Sequence, residues 1–140
     1  MLHNGLTIFL SIIAVIVGLN AWVHVETLAY LRAVPEITGA EQLEDFKRLA
    51  GRNMLGALVY LALLLPALGF GIYAVVKQTS IAIGVIAIAV VLIPVLGKRL
   101  LSIERQARQQ PCATPQLAAE RDRLSNIWLH KAWPNFEPKV

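Results

Sequence analysis

His24 is the side chain on which acid–base or ligand chemistry would first be sought. It stands in an otherwise uncharged stretch, and imidazole titrates near neutral pH. Asn20, His24 and Thr27 fall at i, i+4 and i+7, so on a helix they make one polar stripe. In an apolar setting such groups face protein, because an unpaired one costs several kcal/mol. Hydrogen bonding between helices accounts for the stripe more simply than a bound substrate does; the chemical alternative makes His24 a proton carrier or a ligand. Glu26 does not complete a metal site with it, since two residues along a helix turn through about 200°. No Glu-x-x-His pair occurs, which removes the di-metal carboxylate pattern. Cys112 is the single cysteine, so intrachain disulfides and paired-thiol exchange are excluded. A Gly-rich phosphate loop, a Ser/His/Asp set and Cys/His metal spacing are all missing from the sequence. The expectation is therefore no metal, no cofactor, and no self-contained hydrolase or nucleotide enzyme.

The elements that would position these residues are set by apolarity. The chain is 56% hydrophobic with a mean hydropathy of +0.60, whereas soluble chains run at about 45–50% apolar. It reads as an all-α integral membrane protein forming a single membrane domain over residues 1–140. Residues 5–27, 53–76 and 80–98 are each long enough for the roughly 20 residues that cross a bilayer. The leader Met1-Leu2-His3-Asn4 carries no Lys or Arg and no small-x-small site follows the first run, so that run is expected to stay attached rather than be cleaved. The second and third runs are separated only by Lys77-Gln78-Thr79-Ser80, a tight transmembrane hairpin.

Three crossings put the loop 28–52 and the tail 99–140 on one side, and the basic residues test that arrangement. Arg32, Lys47, Arg48 and Arg52 lie in the loop; Lys98, Arg99, Arg105, Arg108, Arg121, Arg123, Lys131 and Lys139 lie in or beside the tail; Lys77 alone lies opposite. The bias predicts an N-out, C-in protein of the inner (plasma) membrane. Net charge is +4, but the cations border apolar runs instead of forming a stripe with interleaved aromatics, so nucleic acid is not an expected partner. Lys98, Arg99, Arg105 and Arg108 read as contacts to anionic lipid head groups.

Two amphipathic helices are expected on the cytoplasmic side. Thr38 with Glu41 has the spacing of a capping box, and Leu43, Phe46, Leu49 and Ala50 then recur at helical intervals into the second span. Pro111 ends the continuation of the third span. Thr114-Pro115 opens another helix, predicted over residues 116–133, whose stripe is Leu117, Leu124, Ile127 and Trp128. It is expected on the membrane surface or against the first loop. Asn53, Gly56, Ala57, Tyr60, Leu64 and Gly71 share a face of the second span, and Ser80, Gly84, Ala87 and Pro94 a face of the third; rows of small residues let helix backbones approach. Pro66 and Pro94 each remove a backbone hydrogen bond and can bend a span.

With these pieces in order, the chain resembles the anthrone-oxygenase-like family of small multi-spanning membrane proteins. The resemblance rests on Leu31-Arg32-Ala33-Val34-Pro35, the short helix with Phe46 and Arg48, the two close spans, Ile93-Pro94-Val95-Leu96-Gly97-Lys98-Arg99-Leu100 and Trp128-Leu129-His130. Members usually carry a Trp and a Leu-His spaced further apart, an Arg after them, and a fourth span; here Trp128 adjoins Leu129-His130. The resemblance implies a membrane enzyme acting on a lipophilic aromatic or quinone-like substrate, with His24, His130 and Trp128 as the residues that would act. The residues themselves favour an accessory or structural subunit, packing through Asn20, His24, Thr27, Asn53, Gly56, Tyr60 and Gly84 onto other membrane subunits or copies of itself. A transporter or channel subunit lined by Asn20, His24 and Tyr60 is the third reading.

Overall fold

A computed structural model describes residues 2–77 and 80–137. Gln78 and Thr79 of the expected hairpin connector, Met1 of the leader and Lys139 of the tail lie outside the described residues. The chain is all-helical: α1 (Leu2–Ala33), α2 (Ala40–Val76), α3 (Ser80–Arg108) and α4 (Pro115–His130). The first three are long and apolar enough to cross a membrane. Their most apolar stretches have mean hydropathies of 2.3, 2.2 and 2.2. At 37 residues α2 is about 55 Å long. It therefore carries the loop helix and the span as one rod, running on through Pro66, and α3 likewise runs on through Pro94.

α1 and α2 pair antiparallel along their length. Phe9, Ile16 and Val23 recur every seven residues and are, among the described side chains, the buried apolar ones of α1, the spacing that keeps one seam against a neighbour. Opposite them α2 offers glycines. A Cβ at Gly71 would stand 3.3 Å from the Phe9 ring, and one at Gly56 would stand 3.3 Å from Val23. Near the far end Gly5 of α1 takes Tyr73 of α2 in the same way. Each step forward on α1 is thus matched by a step back on α2.

The tail end of the molecule is a packed core, and the other end is open. Ile37, Phe46, Leu49, Ala50, Met54, Ala107, Leu124 and Trp128 form one buried cluster. The rings of Phe46 and Trp128 meet edge to face with centroids 6.0 Å apart. α4 thereby lies on the N-terminal part of α2, the second of the two placements expected from its stripe, with Leu117 and Ile127 packed at the margin. Thr114 caps it as its sequence predicts, the hydroxyl accepting from the Leu117 N–H at 3.3 Å. The helix ends at His130, before the expected residue 133.

One helix start differs from expectation. Gly39, not Thr38, is the N-cap of α2, with extended backbone and no side-chain cap. The cause lies 75 residues along the chain. The Ile37 N–H donates to Pro111 O and the Ala113 N–H to Ile37 O, both at 3.0 Å, so the loop is held extended up to Thr38. The first turn opens one residue late, leaving Gln42 and not Glu41 at its third position.

The glycines make a stability test. Gly56→Leu must displace Val23 and is expected to cost about 1–3 kcal/mol. Gly84→Leu, at a position with nothing within 4 Å, is expected to change stability by less than about 0.5 kcal/mol. Unfolding in detergent measures both.

Candidate functional site

Polar groups from all three long helices meet toward the tail end of the molecule. Asn53, 5% exposed on α2, has one side-chain amide nitrogen aimed at two other helices. It donates to Thr27 Oγ1 of α1 at 3.3 Å and to Glu104 Oε1 of α3 at 3.2 Å. Thr27, fully buried, spends its own proton on Val23 O at 2.8 Å, which turns its lone pairs toward Asn53. The other carboxylate oxygen of Glu104 stands 3.9 Å from the Arg108 guanidinium, and both side chains are only 13% exposed. Arg108 in turn lies over the Trp128 ring, 5.3 Å from its centroid. One connected set of groups thus runs from α1 through α2 and α3 to α4.

A second set closes the loop against the tail. The Gln110 side chain, 3% exposed, donates to Val34 O and accepts from the Tyr30 hydroxyl at 2.7 Å. Arg121 donates to Gln110 O. Outside this, Arg52 pairs with Glu26 at 2.7 Å between half-exposed side chains, so that Glu26 faces an arginine rather than His24.

Where α2 and α3 meet α1 on one side and α4 on the other, the packing loosens into cavities. One, of 640 Å³, lies toward the end away from the tail and is walled by apolar side chains such as Phe9, Leu68, Ile86 and Ala89. A cavity of 280 Å³ follows, sharing Tyr60 and Ile93 with the first and reaching Asn53 and Glu104. A third, of 320 Å³, shares Asn53, Ala57, Leu101 and Glu104 with the second and opens between Arg108, Trp128 and Lys131.

The residues singled out from the sequence are distributed unevenly over this geometry. Thr27 and Asn53 bond to each other, Gly56 seats Val23, and Tyr60 lines two of the cavities. Asn20 lines the 280 Å³ cavity but bonds within its own helix, to Ile16 O at 3.0 Å. His24 is half-buried and His130 exposed, and neither lines any of the three cavities just described. Trp128 is buried in the tail core. Gly84, Lys98, Arg99 and Arg105 are exposed on α3, whereas Arg108 is turned inward. Glu104 and Gln110 were not anticipated. A signal for Glu104 existed: Gly97, Leu101, Glu104 and Arg108 continue one face of the third span at i, i+4, i+7 and i+11. Among the described residues no three His, Cys, Asp or Glu side chains are grouped as a metal site requires.

Compared with family models, with curated proteins and with solved structures, the chain matches none.

The Asn53–Glu104 bond is open to a double-mutant cycle. Asn53→Ala combined with Glu104→Leu is expected to reveal a coupling of about 0.6–1.7 kcal/mol, the range of hydrogen bonds between membrane helices. Glu104→Gln keeps an acceptor for Asn53 and is expected to cost less than Glu104→Leu; unfolding in mixed detergent gives both values.

Proposed function

We propose that the chain is an accessory or structural subunit, which packs through α3 onto a larger membrane complex or onto copies of itself. One observation carries this reading. No residue in the most apolar stretch of α3 is buried against the rest of the chain, against 17% for α1 and 11% for α2. The small residues agree in part, since Gly18 of α1 and Gly69 of α2 also have nothing within 4 Å of a Cβ. Gly5, Gly56 and Gly71 already seat side chains of the paired helix, while nothing stands within 4 Å of a Cβ at Gly84 or Gly97 of α3. A row in which Gly84, Ala87 and Val91 are exposed leaves backbone open to the close approach that holds membrane helices together. A subunit with a buried reactive group would instead concentrate its polar chemistry in a cavity. Here Thr27, Asn53 and Glu104 are bonded to one another, and Asn20 bonds back to its own helix. An oxygenase of the anthrone type would need His24 or His130 beside its substrate, and the cavities described above are lined by neither.

For orientation, the proposal is N-out and C-in in the plasma membrane. What supports it is the number of cations at the tail end, together with the backbone bonds between Ile37 and the 111–113 segment, which keep loop and tail on one side.

Gentle solubilisation of native membranes followed by a mass measurement tests the assembly. The expected protein mass is well above the 15.4 kDa of one chain, falling toward it in Gly84→Ile. A wild-type particle of one chain without companions ends the reading. Orientation is read separately. A cysteine introduced at exposed Ala113, with Cys112→Ser, is expected to resist an impermeant thiol reagent on intact cells and to react once the membrane is opened.

A further inference from the structure

α3 keeps one face turned outward from its apolar stretch into its basic end. Ile88, Val91, Val95, Lys98, Ser102 and Arg105 stand alternately three and four residues apart, the spacing that holds them on one side of a helix, and all six are exposed. Glu104 and Ala107, on the opposite side, are the residues that meet Asn53 and the tail core. The outward stripe is apolar as far as Val95 and basic beyond it. Lys98 and Arg105 lie on it and Arg99 beside it, with no acid among them, since the one carboxylate of α3, Glu104, is turned to Asn53 and Arg108. None of these three cations has an ion pair among the described residues. The paired ones, Lys47, Arg52, Arg108, Arg121 and Arg123, lie on α2, on α4 or on the inner side of α3.

Anionic lipid head groups answer Lys98 and Arg99 but not the whole row. Hydrocarbon excludes an unpaired charge, so it ends at about Lys98, the first charged residue of α3. At a 1.5 Å rise per residue Arg105 is about 10 Å further along, and the head-group layer is about 5–8 Å deep on each side. A second copy answers the row no better. Two copies with one orientation in one membrane pair their α3 helices in parallel about a two-fold axis, so each residue of the stripe meets its own counterpart. Lys98 would then face Lys98 and Arg105 would face Arg105, a like-charge contact repeated along the seam.

We propose that the outward face of α3 docks one helix of a different membrane protein. That helix is apolar along the span and carries two carboxylates about 10 Å apart where it leaves the bilayer, set against Lys98 and Arg105. The inference rests on the accessory reading and narrows it from any companion to an acidic one of different sequence.

The test starts from the native assembly, gently solubilised. A water-soluble carbodiimide joins an ammonium to a carboxylate in contact with it, and mass spectrometry reads the joined peptides. Lys98 is expected to be joined to an Asp or Glu of a companion chain. Lys98→Arg is expected to lose that product while keeping the particle mass. Lys98→Glu with Arg105→Glu is expected to lower the companion-to-chain ratio about tenfold with the unfolding midpoint unchanged. Reversal of the joined carboxylates to Lys in the companion is expected to restore the ratio. Lys98 joined to a carboxylate of a second copy, or a wild-type ratio in the double variant, overturns the proposal and leaves the accessory reading standing. So does a double variant that loses only bound anionic phospholipid, measured as lipid phosphorus per chain. A wild-type particle of one chain alone overturns both. Should the double reversal insert poorly, Lys98→Gln with Arg105→Gln gives the same decision.

Discussion

A single amide nitrogen, that of Asn53, bonds to both of the other spans. Helices in hydrocarbon gain little from apolar contact, because lipid tails offer the same contact. What fixes one helix against another is close backbone approach or a polar group with nowhere else to go. α1 and α2 have both, the glycine seats of Gly56 and Gly71 and the Thr27–Asn53 bond. α3 has the bond from Asn53 to Glu104 and little else along its apolar stretch. The molecule is consequently firm where Asn53 stands and loose beyond it, and the widening gap between α2 and α3 follows from that difference.

Charge at the tail end does two kinds of work. Lys98, Arg99 and Arg105 remain exposed, while Arg108, only three residues further, is drawn inward by Glu104 and the face of Trp128. A buried carboxylate and guanidinium are costly to desolvate singly and tolerable as a pair with further hydrogen bonds. Asn53 supplies such a bond to Glu104. The same contact brings α4 and its aromatic core onto the spans, so the amphipathic tail is fastened by a charged group as well as by Phe46 and Leu49.

How much of this can be read from the chain depends on how local the cause is. Length and apolarity announce the three long helices, and Thr114-Pro115 announces α4, because each signal lies within the element it governs. The start of α2 is misread because Ile37 is held by Pro111 and Ala113, partners that no local pattern names. Glu104 escapes notice because its partner Asn53 is 51 residues away, and an acid among basic residues looks like any solvated face. Arg108 resembles its neighbours in sequence and differs from them only in direction, which a helical wheel anchored on Gly97 and Leu101 would have shown. The polar stripe of α1 is visible in the sequence, but not that Thr27 reaches across to α2 while Asn20 bonds back along its own helix.

The pairing of Ile37 with the 111–113 segment also bears on the order in which the molecule is completed. During synthesis the loop emerges well before the residues that satisfy it. Until the 111–113 segment has left the ribosome, the Ile37 amide and carbonyl are hydrated and Phe46 lacks the indole that covers it. The loop around Ile37 and Phe46 is therefore completed by partners that lie far later in the chain than the helices it joins.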